Sequence, residues 1–224
     1  MSETAEIKYK MQKNEKRFSQ AGERAINNIF RIFNESFFDR ELSAPDFLLS
    51  RARGRYCGGF IESAGVLKLA VNTDTKSVFT NPVYGKEKFE ECYRSSLPET
   101  LVHEMCHMWQ VPHRLYRNFT VLEYHALYEA GNYEEIHRRE EERRKYFTMH
   151  DEQFKEKMQS IGISEEYSGR ALEITNNTKV IDGSPYQKLM ENPSPDISES
   201  LDILISEMFS YVKVKPIEEF TKGE

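Results

Sequence analysis

Cysteine is scarce in this sequence: Cys57, Cys92 and Cys106 are the full set, and no two form a CxxC pair. That excludes a disulfide framework and a four-cysteine zinc ribbon, and it fits a reducing compartment. No uncharged apolar run approaches the roughly 18 residues of a membrane span. The opening residues, MSETAEIKYKMQKNEKRF, are charged where a secretory leader would be apolar. A cytoplasmic protein with no membrane partner is the expectation. A basic excess is lacking as well. Lys and Arg total 31 against 37 Asp and Glu, a net charge of −6, so the chain as a whole has no cationic field for nucleic acid. No repeat period or low-complexity block interrupts it.

What is present suits one folded unit. The length of 224 residues favours a single domain with an appended tail, and fourteen Phe and twelve Tyr supply most of the bulky core. Residues 1–18 read as a polar arm, either frayed or the start of a helix. From Ala25 onward, Ile26, Ile29, Phe30, Phe33, Phe37 and Phe38 recur at three- and four-residue steps, predicting a helix that stops before Pro45. Three β-like stretches follow at 47–50, 56–61 and 66–71, with Gly58-Gly59 marking a bulge or a close backbone approach. The last stretch, VLKLAV, alternates with Lys68 on the open side.

Residues 81–96 read as turns with one short helix. Ser96-Leu97-Pro98-Glu99 then has the form of a capping box, and it predicts a helix through PETLVHEMCHMWQ that ends near Pro112. Thr120 with Glu123 offers a second box and Gly131 a stop. Residues 133–147 form a charge-dense helix, and Asp151 caps another that runs to Gly162. Beyond 191 the chain is acidic, with a helical pattern in Leu201, Leu204, Ile205, Met208, Phe209 and Val212. The expected class is α+β, a small antiparallel or mixed sheet beneath the 98–111 helix.

That helix carries His103-Glu104-Met105-Cys106-His107, an HExxH motif. Residues four apart lie about 40° apart around a helix, so both imidazoles reach one ion. Glu104 lies about 100° from His103 and flanks that stripe, placed to take a proton from an activated water rather than to ligate. Leu101, Met105 and Met108 lie opposite the histidines, with Val102, Cys106 and Trp109 on one flank. Two histidines and a carboxylate on an otherwise apolar helix need pairing or a metal. Cys106 points away from Glu104 and reads as a small core residue. Two histidines leave zinc one protein ligand short. Spacing leaves His113, His125, His137, His150 and Glu123 as candidates. His113 stands ten residues after His103, as in HExxHxxGxxH, but Gln110 replaces the glycine. His150 stands directly before a capped helix. The two rank level on spacing.

LVHEMCHMWQ followed by MHDEQFKEKMQSIGI resembles the SprT-like family, which includes the Spartan DNA–protein crosslink proteases. IFNESFFDRELSAPDFLLS, RYCGGFI with LKLAVN, and TKVIDGSPYQKLM are similar to further segments of its bacterial single-domain members, over roughly residues 20–190. The chain departs from the family in the helical stretch inserted around 116–145 and in Asp151, where Gly or Asn is usual. The resemblance implies a zincin-like domain at 19–190, with a small sheet packed against the active-site helix. It implies zinc held by His103, His107 and His150, Glu104 as catalytic base, and Phe154 as the packing aromatic. A polar arm at 1–18 and an acidic extension at 191–224 flank this domain.

The function implied is a zinc metallopeptidase acting on protein or peptide substrates, DNA-associated or crosslinked proteins among them. Tyr146 and His113 are the nearest candidates for an oxyanion donor. The alternative is a catalytically silent, zinc-containing binding module on the same fold, against which an intact Glu104 argues. Arg51, Arg53 and Arg55 alternate in a strand-like stretch and form a row suited to DNA phosphates, or else the charged edge of a sheet. The HRREEERRK run is self-neutralising and reads as a solvated helix.

Overall fold

Ser19 ends the N-terminal segment and begins the first helix, its hydroxyl accepting the Gly22 N–H at 3.1 Å. This helix, α1 (Gln20–Phe37), buries Ala25, Ile26, Ile29, Phe30, Phe33 and Phe37 along one stripe, as the periodicity predicts. The computed structural model describes residues 9–52, 58–72, 85–113, 121–146, 150–164 and 180–212. Within these residues the protein is a mixed α+β structure, and no helix is long and apolar enough to cross a membrane.

Four strands form one mixed sheet: β1 (Glu15–Arg17), β2 (Asp46–Ala52), β3 (Gly58–Ile61) and β4 (Val66–Asn72), in the order β1-β2-β4-β3. β2 and β4 run parallel, and the two outer strands are antiparallel to their neighbours. Phe47, Leu49, Leu67, Leu69 and Val71 join the core that α1 also lines.

Two sequence expectations change here. Residues 15–17 are a strand of the sheet, not a frayed arm or a helix start. Lys68 is not on an open side: its ammonium lies 2.6 Å from the Glu15 carboxylate, and the Tyr9 hydroxyl donates to the same group. The charged pattern hid the strand because the partners of Glu15 and Lys16, namely Lys68 and Glu207, are remote in sequence.

The motif lies on α2 (Gly85–His113), one continuous helix. The expected start at Ser96 is therefore a correction: Pro98 is inside the helix, and Ser96 caps nothing. Pro98 withholds one N–H from the ladder. In the turn before it, the Ser95 and Ser96 hydroxyls donate to the Cys92 carbonyl at 3.1 and 2.9 Å. Burial keeps the helix running, since Phe89, Cys92, Tyr93 and Leu97 are core residues and Phe89 meets Phe209 edge-on at 5.2 Å.

After α2 come α3 (Val121–Glu129) and α4 (Tyr133–Tyr146), separated by Gly131 at φ +67°, then α5 (Glu152–Ile161), α6 (Pro185–Glu191) and α7 (Pro195–Tyr211). Thr120 lies outside the described residues. The described part of the acidic extension contributes to the core. Ile197, Leu201, Leu204, Ile205 and Met208 of α7 are buried, and α7 packs along α1. From α7 the Glu207 carboxylate accepts the Ser19 N–H at 2.9 Å and its hydroxyl at 2.7 Å, placing negative charge at the N-terminus of α1. Among the described residues, no packing boundary separates α7 from α1.

Candidate metal centre

Two helices build the centre. α2 presents His103 and His107 one turn apart, and α5 brings the third ring. The Asp151 carboxylate caps α5 by accepting the Phe154 N–H at 2.8 Å, which fixes the backbone directly after His150. The Nε2 atoms of His107 and His150 each lie 3.2 Å from Nε2 of His103. One nitrogen from each of the three rings lies within 4.8 Å of the others. Hydrogen bonding alone does not account for this. A ring nitrogen has one in-plane donor or acceptor site, yet His103 Nε2 faces two others at equal distance. Ligands about 2.0–2.1 Å from a tetrahedral ion stand about 3.3 Å apart, close to the observed spacing. The three histidines are close enough to bind a metal.

Phe154, four residues after His150, forms the floor of the cluster. Its ring stacks on His107 with centroids 4.4 Å apart, and it contacts His103 at 5.0 Å and His150 at 4.7 Å.

Burial sets the protonation. His103 is 8% exposed, and its pKa is pushed down to about 3, first by burial and then by His107 and His150. Burial is also the leading cause that lowers His150. Near neutral pH both rings are uncharged and keep a lone pair for a cation. Glu104, next to His103 in the chain, is also buried, and burial pushes its carboxyl up to about 8 although the Phe60 backbone acts to lower it. A divalent cation held by the rings reverses that preference, since opposite charge nearby favours the carboxylate. The donor set therefore fits a cation. Glu104 also touches the sheet: a Cβ on Gly58 would lie 3.3 Å from Glu104 Oε1, 3.0 Å from Thr100 Cγ2 and 2.9 Å from the Lys68 carbonyl. The close backbone approach expected at Gly58-Gly59 is this contact between β3 and α2.

Of the two level candidates for the third ring, His150 is in the cluster and His113 is not. The His113 imidazole stacks on Trp109 at 4.4 Å, its Nδ1 lies 2.8 Å from the Trp109 carbonyl, and its Nε2 lies 3.4 Å from Glu41. Glu123, His125 and His137 are exposed on α3 and α4. Cys106 is fully buried, and burial holds its thiol far above the ordinary range. The Tyr146 side chain, Arg53 and Arg55 lie outside the described residues, and Arg51 sits over the Tyr211 ring at 4.8 Å.

Glu99, which the sequence presents as the partner in a capping box, is instead 6% exposed one turn before His103, and burial pushes its carboxyl up to about 7. The i, i+4 spacing to His103 was the available signal. Comparison with family models, with curated proteins and with solved structures returns no match to this chain.

Proposed function

We propose that the chain is a zinc-dependent metallopeptidase of the SprT-like type, built as a zincin-like α+β domain. The observation that carries this reading is the convergence of His103, His107 and His150, two from the HExxH helix and one from the entry to α5, with the buried Glu104 next to His103 in the chain. Three imidazoles without a thiolate suit zinc, and a three-ligand set leaves a coordination position for chemistry. When bound, zinc supplies Lewis acidity to a peptide carbonyl and makes a water more acidic.

The chain's own residues do the rest. His103, His107 and His150 would hold the ion. Glu104 takes the proton from water and passes it to the departing amine, which requires the ionised form at the start of the cycle. The Phe60 backbone, on edge strand β3, favours the ionised form of that carboxyl. The resemblance adds the substrate class, proteins associated with or crosslinked to DNA.

The test pairs metal analysis of the purified protein with peptidase assays on an unfolded protein and on a DNA-bound protein, with and without single-stranded DNA. Near-stoichiometric zinc is expected, retained in Glu104→Gln, whose turnover falls by about 10²-fold or more. Full activity in that variant would end this mechanism. Zinc with no turnover on any substrate would favour the silent binding module.

A further inference from the structure

We propose that the α3–α4 hairpin is a docking surface for a cationic, Arg- or Lys-rich polypeptide segment. Three of the six most exposed large apolar side chains among the described residues are on it: Tyr124, Tyr128 and Tyr133, at 39%, 54% and 52% exposure. They are neighbours in space. Tyr124 and Tyr128 stack with centroids 6.4 Å apart, and Tyr133 meets Tyr128 edge-on at 5.7 Å across the Gly131 turn. The result is a cluster of three neighbouring, partly exposed rings rather than single scattered ones.

Charge selects the occupant. From Asn118 to His137 the sequence has four Glu and no Lys or Arg over twenty residues. Glu129 and Glu134, next in the chain to Tyr128 and Tyr133, are exposed and form no ion pair among the described residues. Of the cations on the described part of the hairpin, Arg138 and Arg139 are both bound to Glu135 at 2.7 Å. Aromatic faces bordered by free carboxylates attract guanidinium and ammonium groups through the ring quadrupole and through direct pairing. Single-stranded nucleic acid also stacks on aromatic rings, but it needs cations along its backbone, and among the described residues of the hairpin Arg138 and Arg139 are paired with Glu135. A second copy would bring carboxylates against carboxylates. This surface is independent of what the histidine cluster does.

The test uses the full chain with Glu104→Gln, so that no peptide is consumed, and reads fluorescence anisotropy of a labelled Arg-Gly repeat peptide. A Glu-Gly peptide and oligo(dT) serve as comparators. Saturable binding of the Arg-Gly peptide alone is expected. Tyr128→Ala should weaken it about fivefold, and Ala at all three positions about tenfold or more. Phe at the three positions should keep affinity within about twofold, because the ring face and not the hydroxyl makes the contact. Glu129→Gln with Glu134→Gln should weaken binding at low salt and reduce its salt dependence. The rings are exposed, so circular dichroism and melting should not change; where the triple Ala variant fails to fold, Tyr128→Ala and the double Gln variant decide. No binding of the Arg-Gly peptide, unchanged affinity in the Tyr128→Ala variant, or tighter binding of oligo(dT) would overturn the proposal.

Discussion

The ring of Phe154 lies against the imidazole of His107, 24° from parallel, so one side chain of α5 sets the position of a ring on α2. The same ring touches His103 and His150, and it is 4% exposed. Packing at this point and the geometry of the site are one property. Phe154→Ala is expected to cost about 3–5 kcal/mol in urea unfolding with chelator present. It should also weaken zinc binding by about 10–100-fold, as loss of an orienting neighbour does. Phe154→Leu should recover most of the stability but less of the affinity. Full zinc affinity in the Ala variant would show that α2 and the cap of α5 orient the rings unaided.

The choice between His150 and His113 gives a sharper comparison. Each single Ala substitution at His103, His107 or His150 should drop zinc content from near one per chain to near zero after dialysis. His113→Ala should keep it, because that ring is engaged by Trp109 and Glu41. Its expected loss is in stability, about 1 kcal/mol for the hydrogen bond and the stacking together. Zinc loss on His113→Ala with retention on His150→Ala would reverse the assignment.

Local signals were the legible ones. The stripe of α1, the Asp151 cap, the Gly131 turn, strands β2 to β4 and the i, i+4 histidines each depend on neighbours within about one or two turns, so residue order displays them. Glu15 and Glu207 show the limit. Each is an ordinary charged residue in its own segment, and only a partner more than fifty residues away makes Glu15 part of a sheet and Glu207 the acceptor at the α1 N-terminus. Pro98 misled for a related reason. A local rule places proline at a helix start, whereas the burial of Phe89 and Tyr93 carries α2 through it. Spacing left the third ring undecided because the hairpin between His107 and His150 has no fixed length in sequence terms. The family-like residues around His150, not its position, favoured it.

The integration of α7 into the core has a direct consequence. Leu204 is fully buried, and Leu204→Ala should cost about 2–5 kcal/mol. Removing everything after residue 190 should unfold the domain, since it strips the apolar cover from α1 and the Glu207 acceptor from Ser19. Circular dichroism and proton NMR dispersion of the truncated chain check this. A folded truncated protein would restore the boundary at 191.

Glu99 supplies the pH dependence. Burial raises its carboxyl from 4.5 to about 7. In the unfolded chain the group ionises near 4.5, while the folded protein resists ionisation until about 7. The folded state thus binds the extra proton between those values, and stability falls as pH rises through that window. A shift of that size corresponds to about 3 kcal/mol, present below pH 4.5 and lost above pH 7. Glu99→Gln carries no titrating proton and should escape the loss. His103 acts in the opposite sense: its depressed pKa weakens the folded state as pH falls from about 6.5 toward 3. That contribution, and that of Glu104, whose carboxyl is likewise raised by burial, are common to both proteins and cancel in their difference. Unfolding by urea with chelator at pH 4.5, 6 and 8 should therefore show wild type losing about 2–3 kcal/mol relative to Glu99→Gln across the series. Parallel pH profiles for the two would mean that Glu99 ionises normally inside the fold, with water or a residue beyond the described ones to stabilise its charge.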